Sequence, residues 1–125
     1  MHEEMMQVVE STRYTLDAFL FVQRGLDFTV RRIHGDPDEL DESVNRHVSG
    51  QDLCHGLRDY AIDQYGLMAR TVLKTWGIQH CDDFGHIVWA MVEADLMQRT
   101  DEDNLEDFFG VFEFAEAFSP TLQLN

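Results

Sequence analysis

Apolar side chains recur at steps of three and four residues in the second segment of the chain, which is the spacing of one buried helical face. The segment begins after Thr15, a suitable N-cap, and runs to His34, which Gly35 follows. Its apolar positions are Phe19, Val22, Leu26, Val30 and Ile33. The pattern predicts a helix of about five turns. Gly25 lies within it, and because glycine has no side chain, it predicts a close crossing by a second helix.

Two helices joined by a tight turn are predicted from Ser49 onward. Ser49 is a suitable N-cap and Asp52 stands at the third helical position, which is the spacing of a capping box. The apolar stripe of this helix ends at Gly66 and consists of Leu53, Leu57, Tyr60 and Ala61. A shorter helix is predicted over 67–76, and residues 3–11 predict a short helix at the start of the chain.

The next helix is predicted to lead into a β-hairpin. Asp82 or Asp83 is its expected N-cap, and its apolar positions are Phe84, Ile87, Val88, Met91 and Val92. Residues 96–100 then form a strand candidate, and a polar run turns the chain. Residues 108–114 return with alternating apolar positions, namely Phe108, Phe112 and Phe114. This order predicts a helix followed by a two-stranded flap.

The chain of 125 residues is expected to form one mainly helical domain of the α+β class. Its predicted parts are an N-terminal helical arm at 1–34, an acidic linker at 35–48, a degenerate winged-helix-like unit at 49–114 and an irregular tail at 115–125. Phe118 is the expected anchor of the tail. The winged-helix resemblance rests on topology, because three helices and a C-terminal hairpin follow one another in that order.

Charge is distributed unevenly along the chain. The net charge is −15, from 24 acidic and 9 basic residues. Residues 36–47 contain five acids and one base, residues 100–125 contain seven acids and no base, and residues 48–80 contain three of each. Such a surface repels nucleic acids and anionic membranes, and it favours a protein partner with a basic surface.

The helix that would read DNA in a winged-helix protein is unsuited to it here. It carries Asp82, Asp83 and Glu93 and no Lys or Arg, while the turn of the flap reads Asp-Glu-Asp-Asn at 101–104. Both elements would repel phosphates, so nucleic-acid binding is not expected from them. One alternative stays open, a regulator that binds DNA through another face carrying Arg31, Arg32, Arg58, Arg70 and Lys74.

Motifs for metal binding or catalysis are absent from the sequence. Soft ligands do occur, at Cys54, His55, His80, Cys81 and His86, but no C-x-x-C or H-x-x-x-H spacing joins them. No G-x-S-x-G, P-loop or G-x-G-x-x-G is present. We therefore expect no metal, no cofactor and no catalysis. The alternative is an enzyme or metal protein whose pocket gathers these histidines with a carboxylate.

Aromatic residues point to a protein-binding surface. Nine Phe, two Trp and three Tyr are many for a domain of this size. Most belong to the predicted core, but Phe21, Trp89 and Phe109 lie off the apolar stripes. Exposed aromatics rimmed by acids are typical of interaction sites. The sequence therefore predicts a non-catalytic protein–protein interaction module, whose contact residues are Trp89, Asp101, Glu102, Asp103 and Phe109.

The sequence predicts a cytoplasmic location. No apolar run approaches the roughly 20 residues of a membrane span, and the chain begins with acidic residues where a secretory signal would be basic. Cys54 and Cys81 are then expected to be reduced and buried.

Short strings spread over most of the chain resemble an uncharacterised family of small bacterial proteins from planctomycete and verrucomicrobial genomes. They are AFLFV at 18–22, HVSGQDL at 47–53, GLRDYA at 56–61, WGI at 76–78, DFG at 83–85 and VEA at 92–94. The resemblance implies a bacterial cytoplasmic protein and assigns no activity to it.

Overall fold

The computed structural model describes residues 2–35, 47–97 and 104–118. Its helices are α1 (His2–Glu10), α2 (Leu16–His34), α3 (Gly50–Tyr65), α4 (Ala69–Thr75), α5 (Cys81–Glu93) and α6 (Phe114–Ala117). Single 3-10 turns occur at Gly66–Met68 and Leu105–Phe108. Buried residues from these elements form one hydrophobic core.

The predicted β-hairpin is wrong, and with it the α+β class and the winged-helix-like unit. The described residues contain no β-strand. Residues 96–97 form a bend, while 98–103 lie outside the described residues. A 3-10 turn and α6 occupy the region of the expected second strand. Gly110, at φ +63°, interrupts any extended run there. Phe108 lies in the 3-10 turn before Gly110, and Phe114 lies in α6 after it. Both side chains are buried.

The predicted helix starts at Thr15 and Ser49 are confirmed. The Thr15 hydroxyl accepts a hydrogen bond from the Ala18 amide, and the Ser49 hydroxyl accepts one from the Asp52 amide at 3.0 Å. These bonds satisfy N–H groups that have no partner within a helix. Phe118 is buried, as expected of an anchor, but the tail before it is helical rather than irregular.

α2 and α3 cross closely at two glycines, which agrees with the sequence-based interpretation of Gly25. A Cβ atom at Gly25 would overlap the side chain of Leu57, and one at Gly56 would overlap the side chain of Thr29. The backbones can approach because neither glycine has a side chain. This crossing fixes α2 against α3, from which the chain continues into α4.

The 3-10 turn at 105–108 packs closely against α5 at a third glycine, Gly85. A Cβ atom at Gly85 would lie 2.8 Å from Cβ of Phe108, which is too close for a real contact. Phe108 also meets Trp89 edge to face, with ring centroids 6.3 Å apart. The chain after α5 is therefore held to the core by aromatic packing.

The start of α5 differs from the sequence-based prediction. Its N-cap is His80 rather than Asp82 or Asp83, and Asp83 is the third helical residue. The Asp83 carboxylate reaches back to the chain before the helix, where Oδ2 accepts the amides of Gln79 and His80 at 2.8 and 3.0 Å. It stabilises the helix start from inside the first turn.

The other oxygen of Asp83 binds the segment between α1 and α2. Oδ1 accepts hydrogen bonds from the Tyr14 hydroxyl at 2.6 Å and from the Arg13 guanidinium. Arg13 also donates to the carbonyl of Gly77 and lies over the ring of Tyr14. Four donors therefore converge on the Asp83 carboxylate, and this residue is only 3% exposed to solvent.

These donors keep Asp83 ionised. Burial alone would raise the pKa of its carboxyl group, but hydrogen bonds from Tyr14, Gln79 and His80, with the charge of Arg13, outweigh burial and hold that pKa below its usual range. The pKa of Tyr14 is raised in turn, by burial and by its hydrogen bond to Asp83. The folded protein thus favours the ionised form of Asp83.

Removing this carboxylate should destabilise the protein strongly. In Asp83→Ala, the Tyr14 hydroxyl and two backbone amides lose their acceptor. In Asp83→Asn, an NH2 group replaces one carboxylate oxygen, so a donor then faces two other donors. We expect each to lower the free energy of unfolding by about 2 to 4 kcal/mol in urea titrations. The matched control is Asp82→Asn, which removes the same charge from the same helical turn and should cost less than about 1 kcal/mol. Equal effects of Asp82→Asn and Asp83→Asn would contradict this assignment.

Gly56, which lies at the crossing of α2 and α3, gives a second prediction. Ala is favoured over Gly in a helix by about 1 kcal/mol, so Gly56→Ala would stabilise an open site. Because a Cβ at this position overlaps Thr29, we expect a loss of about 1 to 3 kcal/mol instead. Thr29→Ala should recover part of that loss in a double-mutant cycle followed by thermal unfolding. A stabilising Gly56→Ala would show that the helices do not cross closely here.

Candidate functional site

No three of the residues considered as metal ligands come together. Cys54 and Cys81 are buried, while His55, His80 and His86 are exposed. The ring of His55 lies against Phe112 and that of His86 against Phe109. Within residues 2–35, 47–97 and 104–118, no group of three His, Cys, Asp or Glu side chains is arranged to hold a metal ion.

The aromatic residues predicted to lie off the apolar stripes differ in exposure. Phe109 is 44% exposed, Trp89 is half-buried, and Phe21 is buried against the rings of Tyr60, Trp76 and Phe84. The other predicted contact residues, Asp101, Glu102 and Asp103, lie outside the described residues. Phe109 is therefore the clearest exposed aromatic among the predicted contacts.

A larger exposed apolar group lies at the turn between α3 and α4. Tyr65, Leu67 and Met68 are 36%, 68% and 56% exposed. Gly66, at φ +55°, reverses the chain between the two helices, so these side chains stand at the outside of the turn. Tyr65 rests edge-on against Trp76, which fixes one side of the group. Exposed apolar side chains in such a cluster are typical of contact sites.

Sequence reasoning missed this group for a definite reason. The sequence pattern ends the apolar stripe of α3 at Gly66 and predicts that the next helix begins at Leu67. Leu67 and Met68 instead belong to the 3-10 turn, and α4 begins at Ala69. A sequence signal was present, since three large apolar residues flank a turn glycine within four positions.

Two basic residues follow the turn on α4. Arg70 and Lys74 are exposed and lie one helical turn apart. They line an open cleft of about 420 Å³ together with Thr71, Ile78, Gln79, His80 and Phe114. No carboxylate of the described residues lines this cleft or forms an ion pair with Arg70 or Lys74. In a chain of net charge −15, both bases are available to a negatively charged group.

The remaining bases of the set considered for DNA are already in ion pairs. Arg31 pairs with Asp27 at 3.2 Å, and Arg32 and Arg58 both pair with Asp59 at 2.7 Å. Burial of Asp59 opposes ionisation, but the hydrogen bonds from Arg32 and Arg58 outweigh it and lower the pKa of that carboxyl group. The five bases are thus divided into three that carboxylates neutralise and two on α4.

Among the described residues, the α4 cleft does not bring a histidine together with a carboxylate, which is the arrangement expected of an enzyme. His80 lines the α4 cleft, but none of the side chains that line it is a carboxylate. Asp83 lies just beyond His80 in sequence, yet it is buried and both its oxygens already accept two hydrogen bonds each. A carboxylate held in this way positions the start of α5 and has no free lone pair to accept a substrate proton.

Of the helices in the described part of the chain, none is both long enough and apolar enough to cross a lipid bilayer. Comparison with known proteins found no match among protein-family models, curated proteins or solved structures.

Proposed function

We propose that this protein is a non-catalytic protein-binding module, and that it binds its partner through an α4 surface composed of Tyr65, Leu67, Met68, Arg70 and Lys74. The observation that carries the proposal is that exposed apolar side chains at 65–68 directly precede α4, on which two exposed bases form no ion pair with a described carboxylate. Apolar groups supply the free energy of a contact, and charges beside them select the partner.

The partner is expected to offer an apolar pocket with an acidic rim. Leu67 and Met68 would contribute about 1.5 kcal/mol or more each if fully buried in the complex. Arg70 and Lys74 would each meet a carboxylate at the edge of the contact. The net charge of the chain favours a basic partner, but the α4 surface differs locally from that average. The acidic remainder of the protein would repel an acidic partner that approached elsewhere, which orients the complex.

Peptide display tests this proposal without a known partner. A library of random peptides is selected on the immobilised protein, and enriched peptides are titrated by fluorescence anisotropy. We expect peptides that combine large apolar residues with Asp or Glu, and we expect their binding to be lost in the double variant Leu67→Ser, Met68→Ser. Arg70→Gln with Lys74→Gln should weaken binding and reduce its dependence on salt.

The matched control is Ile33→Ser, because Ile33 is 46% exposed at the end of α2 and lies outside the α4 surface. Substitutions at such exposed positions should change stability by no more than about 0.5 kcal/mol, so lost binding would not reflect unfolding. If the selected peptides bind the Leu67→Ser, Met68→Ser protein as tightly as the Ile33→Ser protein, the α4 surface is not the binding site.

A further inference from the structure

The cleft beside α4 is formed by this helix and by the segment that follows it. Gly77, at φ +92°, turns the chain at the end of α4, and its amide donates to the Lys74 carbonyl at 3.0 Å. The Ile78 amide donates to the Leu73 carbonyl at 2.9 Å. Such bonds close a helix whose last turn is followed by a glycine in the left-handed region. Residues 78–80 therefore lie beside α4, and both segments line the cleft.

Asp83 holds the segment opposite α4 in place. Its carboxylate accepts the backbone amides of Gln79 and His80 at 2.8 and 3.0 Å. The side chains of these two residues are exposed and line the cleft. Asp83 itself is buried, and its charge is paired with the guanidinium of Arg13. The cleft is thus preorganised, since a ligand need not order the backbone that surrounds it.

Every polar side chain that lines the cleft can donate a hydrogen bond. Arg70 and Lys74 are cationic donors, one helical turn apart on α4. The neutral donors are the hydroxyl of Thr71, the side-chain amide of Gln79 and a ring nitrogen of His80. A set of donors with two positive charges, and with no described carboxylate among them, suits an anion that has several acceptor oxygens.

The base of the cleft is apolar. Ile78 and Phe114 line it and are themselves buried. The ring of Phe114 is held by Phe84 and Phe118, with centroids 5.8 and 5.1 Å away. The volume of about 420 Å³ lies within the range of small-molecule pockets and exceeds what one inorganic anion fills. A ligand that uses both the base and the donors therefore carries an apolar body beside its anionic group.

We infer that the α4 cleft is a binding site for a phosphomonoester whose organic part is an aromatic ring. Near pH 7 such an ester carries about two negative charges and three terminal oxygens, which match the two bases and the neutral donors of the cleft. A carboxylate offers one charge and two oxygens. The site shares Arg70 and Lys74 with the proposed protein-binding surface but does not depend on it, because the other cleft residues lie outside 65–68.

Titration with phenyl phosphate tests the site. The full chain is labelled with nitrogen-15, and its amide signals are followed by nuclear magnetic resonance as phenyl phosphate is added. We expect saturable shifts at residues 70–80 and at the side-chain amide of Gln79, with an affinity that falls as salt is raised. Inorganic phosphate lacks the ring and benzoate lacks the second charge, so each should bind at least about fivefold more weakly. Equal affinities for all three anions would contradict the match to a phosphomonoester.

Charge-matched variants locate the binding. Arg70→Gln and Lys74→Gln should each weaken phenyl phosphate binding about tenfold, because each removes a charged donor. The matched control is Arg24→Gln, which removes the same charge from an exposed position on α2 outside the cleft and should change the affinity by less than about twofold. Thermal unfolding checks that each variant is folded. No saturable binding, or the same affinity in the Arg70→Gln and Arg24→Gln proteins, would overturn the inference.

The two proposals fail separately. The double variant Leu67→Ser, Met68→Ser should lose the selected peptides and still bind phenyl phosphate. If the wild type binds those peptides but not phenyl phosphate, the cleft site is overturned and the protein-binding function stands. The source of the ester is tested with a short phosphotyrosine peptide. Tighter binding of this peptide than of phenyl phosphate supports a phosphorylated side chain as the ligand, and weaker binding supports a free ester.

Discussion

One buried carboxylate connects parts of the chain that are far apart in sequence. Asp83 accepts two amides of the loop before its own helix and two side chains of the segment that joins α1 to α2. A carboxylate at 3% exposure is stable only when it is fully hydrogen-bonded, so the two segments must be in place together. The start of α5 and the start of α2 are thereby fixed against the core. The cleft beside α4 lies next to this point, because Gln79 and His80 line it.

Sequence reasoning identified what depends on local spacing and missed what depends on distant partners. Thr15 and Ser49 are found from their position before an apolar repeat, because capping acts within one turn. Asp83 could be placed near a helix start, but its contacts with Arg13 and Tyr14 span most of the chain and leave no local pattern. The false hairpin came from Phe108 to Phe114, where alternation was interpreted as a strand although Gly110 divides the run.

The distribution of charge matters more to the proposed function than its sum. A net charge of −15 suggests a partner that is basic throughout. Locally, Arg31, Arg32 and Arg58 are neutralised by Asp27 and Asp59, whereas Arg70 and Lys74 meet no described carboxylate. The exposed apolar side chains at 65–68 directly precede the helix that carries these two bases. A sequence with a net charge of −15 thus keeps one region that the proposal assigns to an acidic and apolar partner.

The role of Asp83 as the central constraint can be measured directly. In a sample labelled with carbon-13, the carboxyl carbon of Asp83 is followed by nuclear magnetic resonance while the pH is lowered through the range in which the protein stays folded. Because its folded pKa is depressed, the stability that Asp83 contributes is fully present above the ordinary aspartate value and is lost as the pH falls through the folded value. The account requires a midpoint below the ordinary value of about 3.9. A midpoint at or above that value would contradict it.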